Sequence, residues 1–231
     1  MTPEKLKFHY SLIELQEYVV QLIQKHAPVM RSTAIGGWAL QGYSDSYHDG
    51  WEFGFCPYNG PENQSPSWTP KNSLEKQIKS VQDFSIPTAI NTATTLELFR
   101  QLIQLGFYPR RARIMKLSAG SSCVWHQDGN KDIYQVRLHI PIITNDQCFF
   151  DYEDGSHQLK ADGSAYLVKI NRPHRVRNEG TTDRYHFVCH IWDTKGFSQH
   201  HFYDPDLCNV ETDHPQEFDL AKLYNLKVND P

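Results

Sequence analysis

The chain is 231 residues long, 39% hydrophobic and 13% aromatic, enough for one packed domain of ordinary size. Its formal net charge of −4 argues against a dedicated nucleic-acid binder, and no nucleic-acid partner is expected. Five scattered cysteines (Cys56, Cys123, Cys148, Cys189, Cys208) form no C-x-x-C pair, so neither a zinc ribbon nor a disulfide scaffold is suggested; reduced thiols in the cytoplasm are the simple expectation. The amino terminus lacks an apolar leader run and no apolar stretch reaches the ~20 residues of a membrane span, so a soluble protein without a membrane partner is expected.

Ser11-Leu12-Ile13-Glu14 reads as a capping box opening a helix to about His26, with Leu12, Leu15, Val19, Leu22 and Ile23 at helical spacing. Ile35 to Tyr43 reads as a strand whose glycines permit close backbone approach. Next comes an aromatic and polar stretch to Trp51. Its Asp45, His48 and Asp49 could gather around a metal, but a substrate-facing loop fits better, and Trp38 and Trp51 become candidates for substrate contact. Residues 59–72, with Pro61, Pro66 and Pro70, read as a surface loop or lid, and 73–82 as a short helix. Thr94-Thr95-Leu96-Glu97 is a second capping box, predicting a helix to about Leu105 with Leu98, Phe99, Leu102 and Ile103 inward and Gly106 as its stop. Arg110-Arg111-Ala112-Arg113 is expected to be an exposed strand start, followed by a strand over 113–117 and a turn over 118–122.

The chemistry-bearing pattern is His126-Gln127-Asp128, followed 46 residues after the aspartate by His174. Alternate side chains of an extended strand share a face, so one strand can supply both His126 and Asp128. The third ligand then comes from a strand distant in sequence but adjacent in space. Two histidines and one carboxylate leave positions open on a metal, the arrangement of non-haem Fe(II) oxygenases. By itself His-x-Asp also suits a surface histidine before an Asp-Gly-Asn turn. Arg184 shifts the balance: ten residues after His174, one short strand and a turn lead into the next strand, where an arginine can clamp a carboxylate.

The strand expected over 134–143 puts Val136, Leu138, Ile140 and Ile142 on one face and Arg137, His139 and Pro141 on the other. The stretch 184–192 repeats this, with Tyr185, Phe187, Cys189 and Ile191 opposite Arg184, His186, Val188 and His190. Two strands each pairing an Arg with a His two residues on suggest a barrel interior that holds an anion, since a bare buried guanidinium is costly. The apolar faces would pack on the helices. Between these strands, a turn at Asn145-Asp146, a strand at 149–152, a tight turn at Asp154-Gly155 and a strand at 163–170 lead to Asn171-Arg172-Pro173, which presents His174.

From about Arg113 to Trp192 the chain resembles the aspartyl/asparaginyl β-hydroxylase family of Fe(II)/2-oxoglutarate-dependent dioxygenases, and more loosely the bacterial proline hydroxylases. The matching stretches are Val124-Trp125-His126-Gln127-Asp128, Arg137-Leu138-His139-Ile140-Pro141-Ile142, Pro173-His174-Arg175-Val176-Arg177-Asn178, and Arg184. The resemblance implies a mainly β fold with flanking helices, a double-stranded β-helix (jelly roll, cupin-like). It implies that His126, Asp128 and His174 bind iron. Arg184 would take the distal carboxylate of 2-oxoglutarate, with Arg137 and His139 lining the cosubstrate pocket. Some animal members lack the acidic ligand; Asp128 places this chain with the complete-triad branch. The expected reaction is hydroxylation of an unactivated C–H of an amino-acid side chain, free or peptidyl, with O2 consumed and succinate and CO2 released. Arg175 and Arg177 join Trp38 and Trp51 as substrate-contact candidates. The expected organisation is a single domain: support and substrate-side loops over 1–107, the iron-bearing core over 108–193, and a covering segment over 194–231. Two rivals remain open at this point: a cupin-like metal isomerase or hydrolase that does without 2-oxoglutarate, and a metal-free jelly-roll binding module.

Overall fold

The computed structural model describes residues 2–48, 84–128 and 136–192. Trp51, the expected lid, the short helix over 73–82 and the segment after 194 lie outside the described residues. In chain order the elements are β1 (Glu4–His9), α1 (Leu12–Lys25), β2 (Val29–Met30), β3 (Ile35–Ala39), β4 (Gln41–Gly42), β5 (Ile86–Pro87) and α2 (Ala93–Gln104). There follow β6 (Tyr108–Leu117), β7 (Ser121–Ser122), β8 (Val136–Ile143), β9 (Cys148–Tyr152), β10 (Gly155–His157), β11 (Ser164–Lys169), β12 (His174–Asn178) and β13 (Arg184–Trp192).

A seven-stranded sheet runs in the order β1-β11-β8-β13-β6-β3-β2, and a four-stranded sheet in the order β10-β9-β12-β7. From β6 onward the chain passes back and forth between them, and the pairings within both sheets are antiparallel. This alternation is the double-stranded β-helix, so the expected fold is the one observed. Three strands of the region before residue 107 extend the large sheet beyond the jelly-roll core, two more than the glycine-rich stretch alone suggested.

The main core lies between the outer face of the large sheet and the two helices. Val136, Leu138, Ile140 and Ile142 of β8 and Tyr185, Phe187, Cys189 and Ile191 of β13 all join it, as their alternation predicts. From α1 it takes Leu15, Tyr18, Val19 and Leu22; from α2, Leu96, Leu98, Phe99 and Leu102. Ile23, expected inward, is 43% exposed, and Tyr18 takes its place on the packed face, its hydroxyl donating to Ile90 O at 3.2 Å. Ile103 is only partly buried at the edge of the same core. Phe99 is fully buried with its ring centroid 6.0 Å from that of Phe187, tying α2 to the central strand. Phe99→Ala is expected to destabilise the fold by about 3–5 kcal/mol, read from the shift of a urea unfolding curve.

The helix starts differ in detail from the sequence reading. Ser11 occupies the first cap, but its side chain makes no capping hydrogen bond. At α2 the cap is Thr92, two residues before the expected position, and its N–H donates to Thr95 Oγ1 at 3.0 Å. Threonine serves as cap or as N3 partner with similar ease, so the run Thr92-Ala93-Thr94-Thr95 holds more than one workable frame. Gly106, at φ 83°, ends the helix as expected.

Candidate active site

His174 opens β12 and is 2% exposed. Its partners do not lie on a regular strand, contrary to the expectation for His126 and Asp128. β7 pairs with β12 only at Ser121 and Ser122, after which the chain runs beside β12 with broken pairing. Cys123 N–H donates to Val176 O at 2.9 Å, His126 and His174 exchange backbone hydrogen bonds at 3.0 and 2.9 Å, and Asp128 N–H donates to Ile170 O at 2.8 Å. The single His126–His174 bridge is enough to bring the two imidazoles to a centroid distance of 4.3 Å. One ligating atom from each of His126, Asp128 and His174 falls within 4.8 Å of the others, and this is the sole such group among the described residues. Asp49, of the possible second cluster with Asp45 and His48, lies outside the described residues.

Both histidines are oriented by the backbone. His126 Nδ1 donates to Val124 O at 2.8 Å and His174 Nδ1 to Arg172 O at 2.8 Å. A carbonyl can only accept, so each Nδ1 carries a proton, and in the neutral ring Nε2 is then left with its lone pair for a metal. His174 also stacks on Phe150, centroids 5.2 Å apart and planes 9° from parallel. Burial pushes its imidazole down to about 4, so it is neutral at physiological pH. The Cys123 sulfur, and after it the Asp128 carboxylate, raise His126 against the lowering effect of burial. For Asp128 burial works upward, but Arg137, His126 and His174 together hold the carboxyl below its ordinary value. Two imidazoles and a carboxylate held ionised form a donor set suited to a divalent iron ion.

The polar faces of β8 and β13 point inward, as their alternation suggests. His139 is 6% exposed, Arg184 7% and His186 1%. The register sets His139 opposite Val188 and Val188 opposite Arg113. Arg184 lies along the His186 imidazole, Nε donating to Nε2 at 2.8 Å and Nη2 2.8 Å from Nδ1. The rings of His186 and His139 meet edge to face at 5.9 Å. Burial lowers the Arg184 guanidinium to about 10, which leaves it charged at neutral pH. His139 Nδ1 and Arg137 Nε are buried without a hydrogen-bond partner, a costly state that an anionic ligand with several acceptors would relieve.

Burial, and after it the Arg184 charge, hold His139 and His186 well below the ordinary histidine value. Their unfolded forms take up protons near pH 6.5 while the folded forms do not. Stability from these groups is therefore full above pH 6.5 and is lost progressively as pH falls below it. The unfolding temperature of the metal-free protein should drop between pH 7 and pH 5; a flat profile would contradict the buried neutral pair.

Several expectations are corrected. Arg111 and Arg113 are each 4% exposed, so the basic run is not an exposed strand start. Arg111 has φ 52°, where β6 and β13 slip register between Val188 and His190, and this bulge turns its side chain inward over Phe84, 5.2 Å from the ring. Alternation along β6 could have revealed Arg113, since Ala112 and Ile114 face the core; nothing in the residue types announces the bulge. Trp38 is no substrate contact: it is 1% exposed in the core, and its Nε1 donates to His26 O at 3.2 Å. Arg175 and Arg177 both donate from Nε to Asp151 Oδ2, at 2.9 and 2.8 Å, so this part of each is tied to the small sheet rather than to a substrate. Arg137, expected in the cosubstrate pocket, also places Nη2 2.7 Å from Asp128 Oδ2. The packing of Phe150 against His174 and the contact of Cys123 with His126 were not foreseen. Among the described residues Cys123, Cys148 and Cys189 form no disulfide. Among the described residues no helix is long and apolar enough to cross a membrane.

A family model described as aspartyl/asparaginyl beta-hydroxylase matches residues 78–194. A search of curated proteins by sequence finds no match. Among solved structures, a 2OG-Fe(II) oxygenase-family oxidoreductase from Burkholderia pseudomallei is 17% identical, with TM-score 0.31, covering 43% of this chain and 51% of its own. A prolyl hydroxylase from Trichoplax adhaerens, solved with a hypoxia inducible factor peptide fragment, is 17% identical with TM-score 0.30, covering 40% of this chain and 50% of its own. A cupin domain from Bordetella pertussis is 20% identical with TM-score 0.28, covering 35% of this chain and 78% of its own. The chain thus spans about half the length of the two oxygenases.

Proposed function

The chain belongs to the aspartyl/asparaginyl β-hydroxylase family, and on that premise we propose that it is an Fe(II)- and 2-oxoglutarate-dependent hydroxylase that uses O2 to hydroxylate an unactivated C–H of an amino-acid side chain, free or within a peptide. The observation that carries the reading is the convergence of His126, Asp128 and His174 within 4.8 Å, with both histidines presenting Nε2. These three residues would hold the iron. When bound, iron and 2-oxoglutarate together supply the oxidising power that puts one atom of O2 on the substrate, with succinate and CO2 as coproducts.

The protein's part is to bind, orient and keep water out. Arg184 would hold the far carboxylate of 2-oxoglutarate, and His139 would donate to it. Both stand on adjacent antiparallel strands, so their separation is fixed by the sheet rather than by a loop. His186 lies between them and braces the guanidinium. Phe150, its ring edge to face with that of His139 at 6.1 Å, gives the interior an apolar wall there. No side chain is needed as a general base.

Arg184→Ala is expected to raise the 2-oxoglutarate concentration for half-maximal turnover by about ten- to hundredfold, the loss of one or two charge-assisted hydrogen bonds. Unchanged dependence on 2-oxoglutarate would move the anion site elsewhere and favour the isomerase or hydrolase rival. The broader test is incubation with Fe(II), 2-oxoglutarate and a panel of amino acids and peptides. A product that gains one oxygen atom, matched by succinate, supports the reading; oxygen gain without succinate contradicts it.

A further inference from the structure

We infer that Arg137 is a positioning residue for the metal site, holding Asp128 so that a single carboxylate oxygen is presented to the ion. The inference rests on the iron-site reading above. Arg137 stands on β8 opposite Val168 of β11 and His190 of β13, so strands fix its backbone on both sides. Its side chain is 18% exposed, and its Nη2 lies 2.7 Å from Oδ2 of Asp128. The backbone of Asp128 is fixed independently by the hydrogen bond from its N–H to Ile170 O at 2.8 Å. With the main chain pinned and one oxygen drawn to the guanidinium by the ion pair, turning the carboxylate would cost that attraction. A carboxylate free to turn could give both oxygens to an ion and close one of the positions the three-ligand arrangement leaves open. Partners that orient metal-ligating groups in this way are typically worth ten- to hundredfold in metal affinity.

Arg137 also places a positive charge beside a bound cation, and that effect has the opposite sign. Positioning makes metal binding weaker when Arg137 is removed; simple repulsion makes it tighter. A role confined to the cosubstrate pocket leaves metal affinity unchanged when 2-oxoglutarate is absent.

The test is titration of the metal-free full-length protein with Co(II), without 2-oxoglutarate, followed by calorimetry and visible absorption. The unaltered protein should take up one equivalent. Arg137→Gln should bind Co(II) about ten- to hundredfold more weakly and with an altered absorption spectrum. Arg137→Lys, which keeps the charge but loses the planar fork, should also weaken binding. In the Asp128→Ala background Arg137→Gln should weaken binding no further, because no carboxylate is left to hold and only the repulsion is relieved; a full additional loss there would mark a general structural defect and overturn the role. Equal or tighter binding by Arg137→Gln overturns the positioning role and leaves the three ligands standing. Failure of the unaltered protein to take up Co(II) removes the metal site itself.

Discussion

His174→Ala is expected to abolish Fe(II)-dependent formation of succinate, and Asp128→Ala to do the same. A catalytic metal contributes several kcal/mol to its reaction, and each ~1.4 kcal/mol is a factor of ten, so turnover should fall by at least about a thousandfold. The two variants differ in what else they disturb. His174 is stacked on Phe150 and its backbone is bridged to His126, so its loss opens space beside an aromatic ring but leaves no charge exposed. Asp128 carries the ion pair to Arg137, so its loss leaves a half-buried guanidinium without that partner, and this variant should also unfold at lower temperature. Measured together, iron content, succinate formation and unfolding temperature separate the two effects. Turnover retained by either variant would mean that the metal is held elsewhere.

The second large effect is structural. Gly37 of β3 has φ 150°, and a Cβ placed there would run into the backbone carbonyl oxygen of Ile114 on β6. Neither strand can yield, because β6 is gripped on its other edge by β13. Gly37→Val is therefore expected to cost about 3–5 kcal/mol, combining overpacking with a backbone conformation that side chains avoid. Gly120 is the control: its φ is 65° but nothing lies within 4 Å of an added Cβ. Gly120→Ala should cost only about 1–2 kcal/mol. Chemical unfolding of both variants tests the difference; equal losses would show that backbone conformation, not the close approach of β3 to β6, decides.

Much of this was legible in the sequence wherever a period or a spacing carries the information. Alternation along 136–142 and 185–191 placed the apolar residues in the core and Arg184, His139 and His186 inside, because a strand's side chains must alternate whatever it pairs with. The ten-residue step from His174 to Arg184 spans the rest of β12 and a turn before β13 begins. Less was legible where a side chain's setting depends on neighbours remote in sequence. That Asp151, on the paired strand β9, accepts from Nε of both Arg175 and Arg177 is not legible in either stretch. Trp38 reads as a substrate contact in the sequence, but it packs against the C-terminal end of α1 and the start of β13. Arg111 looked exposed because a register slip between two strands is invisible in either one.

The sequence by itself determined the type and spacing of the groups: two histidines, a carboxylate and an arginine, on stretches whose periodicity commits them to strands and turns. Only the tertiary structure decided which atoms those groups offer and to whom. Nδ1 of each histidine is spent on a carbonyl, Arg137 is turned to Asp128, and Arg184 is braced by His186. The physical reason is range. Periodicity is set by local backbone geometry, whereas a hydrogen bond or an ion pair is decided within about 3 Å between residues that the chain brings together only after both sheets have formed.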